Sequence, residues 1–107
     1  MFDLVIASAI HAAMVQTAAA DNARTALRTC IKQAAAQAKT QKLPADGFTA
    51  FVRQQCASAE ATLKSAIWAF DSKNKVSKRQ SESDANMQIE DFVTMAAERY
   101  QMETTPQ

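Results

Sequence analysis

The stretch ARTALRTCIKQAAAQAKTQKLPADGFTAFVRQQC, residues 23–56, decides the fold. Within it Ala23, Leu27, Cys30, Ile31, Ala34 and Ala38 recur at steps of three and four, the period of one face of an α-helix, while Arg24, Arg28, Lys32 and Lys39 fall opposite. The spacing predicts a helix of roughly five turns, with Asp21 or Asn22 as its N-cap and its end near Lys39 to Gln41. Pro44 stops it and pushes Leu43 extended, so Lys42 to Asp46 is the connection, and Asp46 is placed to cap the next helix. Cys30 and Cys56 each lie thirteen residues from Leu43, in the middle of that connection. Antiparallel helices joined by a short turn bring residues equidistant from the turn to one level, so this symmetry predicts an interhelical disulfide. Free buried thiols are the first alternative. A redox or metal role has less to stand on, since Cys-x-x-Cys and zinc-ligand spacing are both missing.

Outward from there, Phe48, Val52, Cys56, Ala59, Leu63, Ala66 and Phe70 form the stripe of a second helix, with Phe51 at its margin and Ile67 beside it. Trp68 lies nearly opposite, in line with Ala50, Ala57 and Ala61. That back face either takes a third helix or forms a partner-binding groove anchored by Trp68. Asp71 to Lys75 reads as a turn in which Asn74 can take the left-handed conformation. Ser77 with Gln80 makes a capping-box pattern, and Ala85, Ile89, Phe92, Val93, Ala96 and Tyr100 mark a third helix, fraying over residues 103–107. With one glycine and few β-branched or aromatic residues the class is all-α: a three-helix up-down-up bundle, or a helical hairpin plus a third helix, stapled by one interhelical disulfide. Helix one and helix three are both expected to pack on helix two.

The chain has 107 residues, room for one domain, and much of its 48% hydrophobic content is alanine, which buries little area. A staple is therefore expected to matter to stability. Leu4 to Val15 is an apolar run too short to cross a bilayer but suited to a secretory leader, and Ala18-Ala19-Ala20 supplies small residues for cleavage before Asp21. Residues 1–20 are thus expected to be a signal peptide and residues 21–107 a single helical domain. The alternative keeps the first helix, since Met1-Phe2-Asp3 carries an acid and no base.

The net charge of +1, with both signs interspersed, is not the footprint of a nucleic-acid binder. Lys73, Lys75, Lys78 and Arg79 cluster at the second turn, diluted by Asp71, Glu82 and Asp84, and read as a solvated loop. Glu90, Asp91 and Glu98 read as the solvated face of helix three rather than a catalytic carboxylate pair. His11, the only histidine, falls inside the leader-like run, so no general base is expected in the mature domain. Met95 and Met102 share a helix face and, with Met87, raise soft thioether ligation of copper, against the more ordinary reading of packing or interface residues.

The ARTALRTC segment, FTAFVRQQCASAEATLKSA, the FDSKN turn and SESDANMQIEDF, together with the short leader, give a layout that resembles a loose group of small, uncharacterised exported two-cysteine helical proteins of alphaproteobacteria. The resemblance implies a periplasmic helical protein with an interhelical disulfide and brings no activity or site residues with it.

The expectation is therefore a non-enzymatic periplasmic or secreted domain without cofactor or metal, acting on a protein partner or as a homo-oligomer. Its candidate contact surface is Ala57, Ala61 and Trp68 together with Met95 and Met102. Two alternatives stand beside it: a cytosolic or membrane-peripheral protein that keeps residues 1–20 and holds both thiols reduced, and a methionine-based metal or small-ligand carrier.

Overall fold

A computed structural model describes the backbone of residues 2–105 and the side chains of residues 17–105. Among the described residues all regular structure is helical: α1 (Phe2–Thr40), α2 (Phe48–Gln55), α3 (Ala57–Lys73) and α4 (Lys78–Thr104), with a 3-10 turn at Ala45–Gly47 between α1 and α2. Four α-helices thus stand where the sequence pattern predicts three. The helix expected to run unbroken from Phe48 to Phe70 is divided at Cys56, whose φ of −108° and ψ of 17° depart from helical values. The ladder keeps Cys56 N–H to Val52 O and Glu60 N–H to Cys56 O, both at 2.9 Å, on either side of the break. No Pro or Gly causes it. The break falls at the residue held against α1, where the Cα atoms of Cys30 and Cys56 are 5.9 Å apart and their sulfurs at disulfide distance.

The connections show why the elements end where they do. Leu43 N–H bonds to Ala38 O (2.9 Å) and Lys42 N–H to Lys39 O (3.0 Å), the paired bonds of a Schellman stop, with Lys42 in the left-handed region at φ 56°. At the second turn the left-handed residue is Lys75, at φ 62°, and not Asn74. Asn74 keeps a negative φ of −102°, and its side-chain amide is used instead, donating to Phe70 O at 2.9 Å. Ser77 caps α4 through Gln80 N–H at 3.1 Å, but the box is half made, since the Gln80 side chain donates to Asp84 at 2.8 Å. Asp46 does not cap α2. The 3-10 turn absorbs it, and Gly47 holds the N-cap position. Nor do Asp21 and Asn22 start a helix: the alanine-rich run before them contains no breaker, so α1 passes through, and Asp21 instead pairs with Arg24 at 2.9 Å.

The three stripes close on one core. Leu27, Ile31, Phe48, Val52, Leu63, Ile67, Ile89, Val93 and Tyr100 are buried together, with Ala23, Ala34, Ala38 and Ala85 in the gaps. Cys56 is buried and Cys30 half-buried. Besides packing on α2 and α3, α1 and α4 touch directly.

Candidate contact surfaces

The seam between α1 and α4 is the most informative surface, and its register comes from three side-chain contacts. Arg24 Nε donates to Gln88 Oε1 at 2.8 Å, the Arg28 guanidinium lies 4.7 Å from the centre of the Phe92 ring, and Lys39 pairs with Glu103. The two hydrogen-bonded pairs are separated by 64 residues in sequence, as are Arg28 and Phe92. A constant offset means that α1 and α4 run parallel and in step. The cations read as the solvated side of α1 are therefore, in three of four cases, clamps onto α4; Lys32 alone keeps no such partner. Glu103 likewise belongs to a helical turn rather than to a frayed end.

Below this seam Tyr100, 2% exposed, stacks on Phe48 with ring centres 4.4 Å apart, and its hydroxyl donates to Leu43 O at 2.6 Å. One side chain of α4 thereby holds the α1–α2 turn. It also supplies the polar end that a buried tyrosine requires.

Along the seam two adjoining depressions of about 370 and 210 Å³ share Ile31, Lys32, Ala96 and Arg99. Phe92 and Met95 extend the first, and Ala35 and Tyr100 the second. The floor is apolar and the rim carries Arg28, Lys32, Lys39 and Arg99, with Glu103 as the one acid, paired to Lys39. On the outer side of the same lip, Met95 is 63% exposed and Met102 73%. With Met87 these are the exposed large hydrophobic residues among those described, and all three are on α4. Asp91 and Glu98, also exposed, lie beyond them.

Of the predicted back face of helix two, Ala57, Ala61 and Trp68 stay together on α3, and Ala50 falls on α2 across the break at Cys56. Ala57 and Ala61 are exposed on α3, whereas Trp68 is half-buried at the α3–α4 margin, with Lys78 Nζ 5.9 Å from the centre of its ring. A separate depression of about 420 Å³ there is lined by Trp68, Lys64, Lys78, Ser81 and Asn86 among others, and includes neither alanine. Met95 and Met102 thus share one face of α4, and Ala57, Ala61 and Trp68, at steps of four and seven, share one face of α3.

Sequence reasoning missed Glu60 and the α1–α4 clamps. Glu60, 6% exposed, has Oε2 3.0 Å from Arg53 Nε, yet the N–H is not aligned on it, so this oxygen is charge-paired without a hydrogen bond. A charged residue one turn on from Cys56, continuing the line of Phe48 and Val52, gives no sign of burial by type alone. The clamps did leave a signal. Residues 24, 28 and 39 repeat the spacing of 88, 92 and 103, with hydrogen-bonding, cation–π and ionic complementarity at each step.

No described helix is long and apolar enough to cross a membrane. Among the described residues no group of three or more His, Cys, Asp or Glu side chains is placed to hold a metal ion. His11 and most of the expected leader, residues 1–16, lie outside the described side chains. Ala20 is 6% exposed, and with Thr17 it borders a depression that Ile67 and Phe70 also line. The chain matches no protein-family model, no curated protein and no solved structure.

Proposed function

We propose that this chain is a non-enzymatic helical module, exported to the periplasm or beyond, that works by holding another protein chain. In this reading α2 and α3 act as one broken rod of a three-rod up-down-up bundle, and the Cys30–Cys56 bridge keeps that small core standing outside the reducing cytosol. The observation that carries the reading is the α1–α4 face. An apolar depression with a largely cationic rim ends in Met95, and Met102 lies exposed two turns further along the same face of α4, both methionines left in solvent.

A photo-crosslinking residue at position 95, compared with one at the exposed Thr62, tests the binding half in the native host. The expected result is a discrete adduct from position 95 and none from position 62. Equal labelling at both, or at neither, refutes it. Intact mass before and after reduction, with thiol labelling, tests the rest. Export predicts a chain beginning at Asp21 whose thiols appear after reduction.

A second reading keeps residues 1–20 as helix, with free thiols, in the cytosol or at a membrane surface. Burial of Ala20 against the α3–α4 end favours it, because cleavage before Asp21 would remove a packed residue. A mass beginning at Met1 with both thiols labelled without reductant would establish it. The methionine-carrier alternative is weaker: seven helical residues set the Cα atoms of Met95 and Met102 about 10 Å apart along the axis, a long reach for two thioethers on one ion. An unchanged melting temperature on adding Cu(I) would remove it.

A further inference from the structure

Resting on the binding-module reading, we infer that the α1–α4 face docks a second copy of this chain, with the two copies side by side and parallel. The argument is self-complementarity. About 100° of rotation per residue sets Met95 and Met102 within about 20° of each other on α4, with Asp91 and Glu98 within about 60° on one flank and Phe92 and Arg99 within about 60° on the other. The Phe92 flank faces α1, because Arg28 covers that ring and Lys32 lines the same depression. One face thus carries acids on its outer side, methionines in the middle and cations on its inner side.

A two-fold axis running along α4 between facing copies exchanges the flanks. The Lys32 and Arg99 side of each copy then meets the Asp91 and Glu98 side of the other, and the methionines meet at the centre. A two-fold axis across α4 would set like charge against like and is disfavoured. A partner of another kind would have to supply both halves of this pattern, whereas a second copy has them. Lys32, Asp91, Glu98 and Arg99 are all exposed and make no side-chain hydrogen bond or ion pair among the described residues, so the fold does not employ them.

The strip from Met87 to Met102 is about 22 Å long and about two helix widths across, so a face of about 450 Å² per copy is available. That is below the roughly 800 Å² per partner of a standard interface, so the dimer is reversible and concentration-dependent.

Sedimentation equilibrium on the full chain from about 10 µM to 1 mM, at low and at high salt, is the test. The wild type is expected to show a monomer–dimer equilibrium that weakens as salt screens the rim. The Lys32→Glu/Arg99→Glu protein and the Asp91→Lys/Glu98→Lys protein should each self-associate at least about tenfold more weakly, with unchanged circular dichroism, and mixing the two should restore a heterodimer. A wild type that stays monomeric across the range overturns the second copy. The binding-module reading then still stands or falls on the position-95 adduct. A dimer indifferent to both charge reversals, or reversals that mixing does not rescue, overturns this face.

Discussion

Tyr100 allows the ring and the hydroxyl of one buried side chain to be separated. Tyr100→Phe keeps the stack on Phe48 and removes the 2.6 Å bond to Leu43 O. Leu43 is half-buried, so its carbonyl is incompletely rehydrated, and the loss is about 1–2 kcal/mol, between a net hydrogen bond and an orphaned acceptor. At about 4–8 °C per kcal/mol for a domain of this size, the melting temperature should fall by about 4–16 °C. Tyr100→Ala removes the ring as well. An aromatic truncation in a packed core costs about 3–5 kcal/mol, much of what a small alanine-rich domain has to spare. Urea unfolding followed both by circular dichroism and by the fluorescence of Trp68 gives the two numbers. Coincident transitions and an unchanged m value license their comparison. A Tyr100→Phe protein within about 1 °C of wild type would refute the hydroxyl's role. A Tyr100→Ala loss below about 2 kcal/mol would refute the packing of the ring.

Reduction of the Cys30–Cys56 bridge, which closes a span of 26 residues, should cost about 3.5 kcal/mol in the chain-entropy model, and a melt unchanged by reductant would count against the bridge. Arg53→Ala should cost about 1–3 kcal/mol by stranding the buried Glu60 carboxylate, whereas Glu60→Met should be neutral or stabilising; the reverse order in denaturant midpoints would show that the pair stabilises the fold. Lys42→Gly and Lys75→Gly should each stabilise by about 0.5–1 kcal/mol, because both lysines sit at positive φ, and a fall in melting temperature would show that their side chains do more than occupy a turn.

The core was largely legible because periodicity is set by geometry that single residues obey. Leu27 and Ile31, Phe48, Val52 and Leu63, and Ile89, Val93 and Tyr100 all lie inside as their spacing requires. The break at Cys56 was not legible, since no propensity marks it and it arises from proximity to another helix. Asp46 and Asn74 show the limit of local rules. Each is a residue type suited to its expected role, and in each case the role falls to the next residue, Gly47 and Lys75. The site was legible in part. The shared face of Met95 and Met102 follows from their spacing, but the surface around them needed the α1–α4 register, and the arginines that set it look like solvated charge in any single-helix view. Trp68 keeps its line with Ala57 and Ala61 because all three lie within α3, beyond the break at Cys56.

The position of Tyr100 near the end of α4 also bears on timing. Synthesis delivers both cysteines and the whole of α1 and α2 44 residues before Tyr100, which at about 5–20 residues per second is roughly 2–9 s. During that interval the nascent hairpin has its two sulfurs within reach and an open side where Ile89, Val93 and Tyr100 will later sit. In a chain exported as it is made, oxidation would therefore precede closure of the core. The last helix to emerge arrives at a prepared trough, and the Leu43 carbonyl waits hydrated until the tyrosine displaces its water.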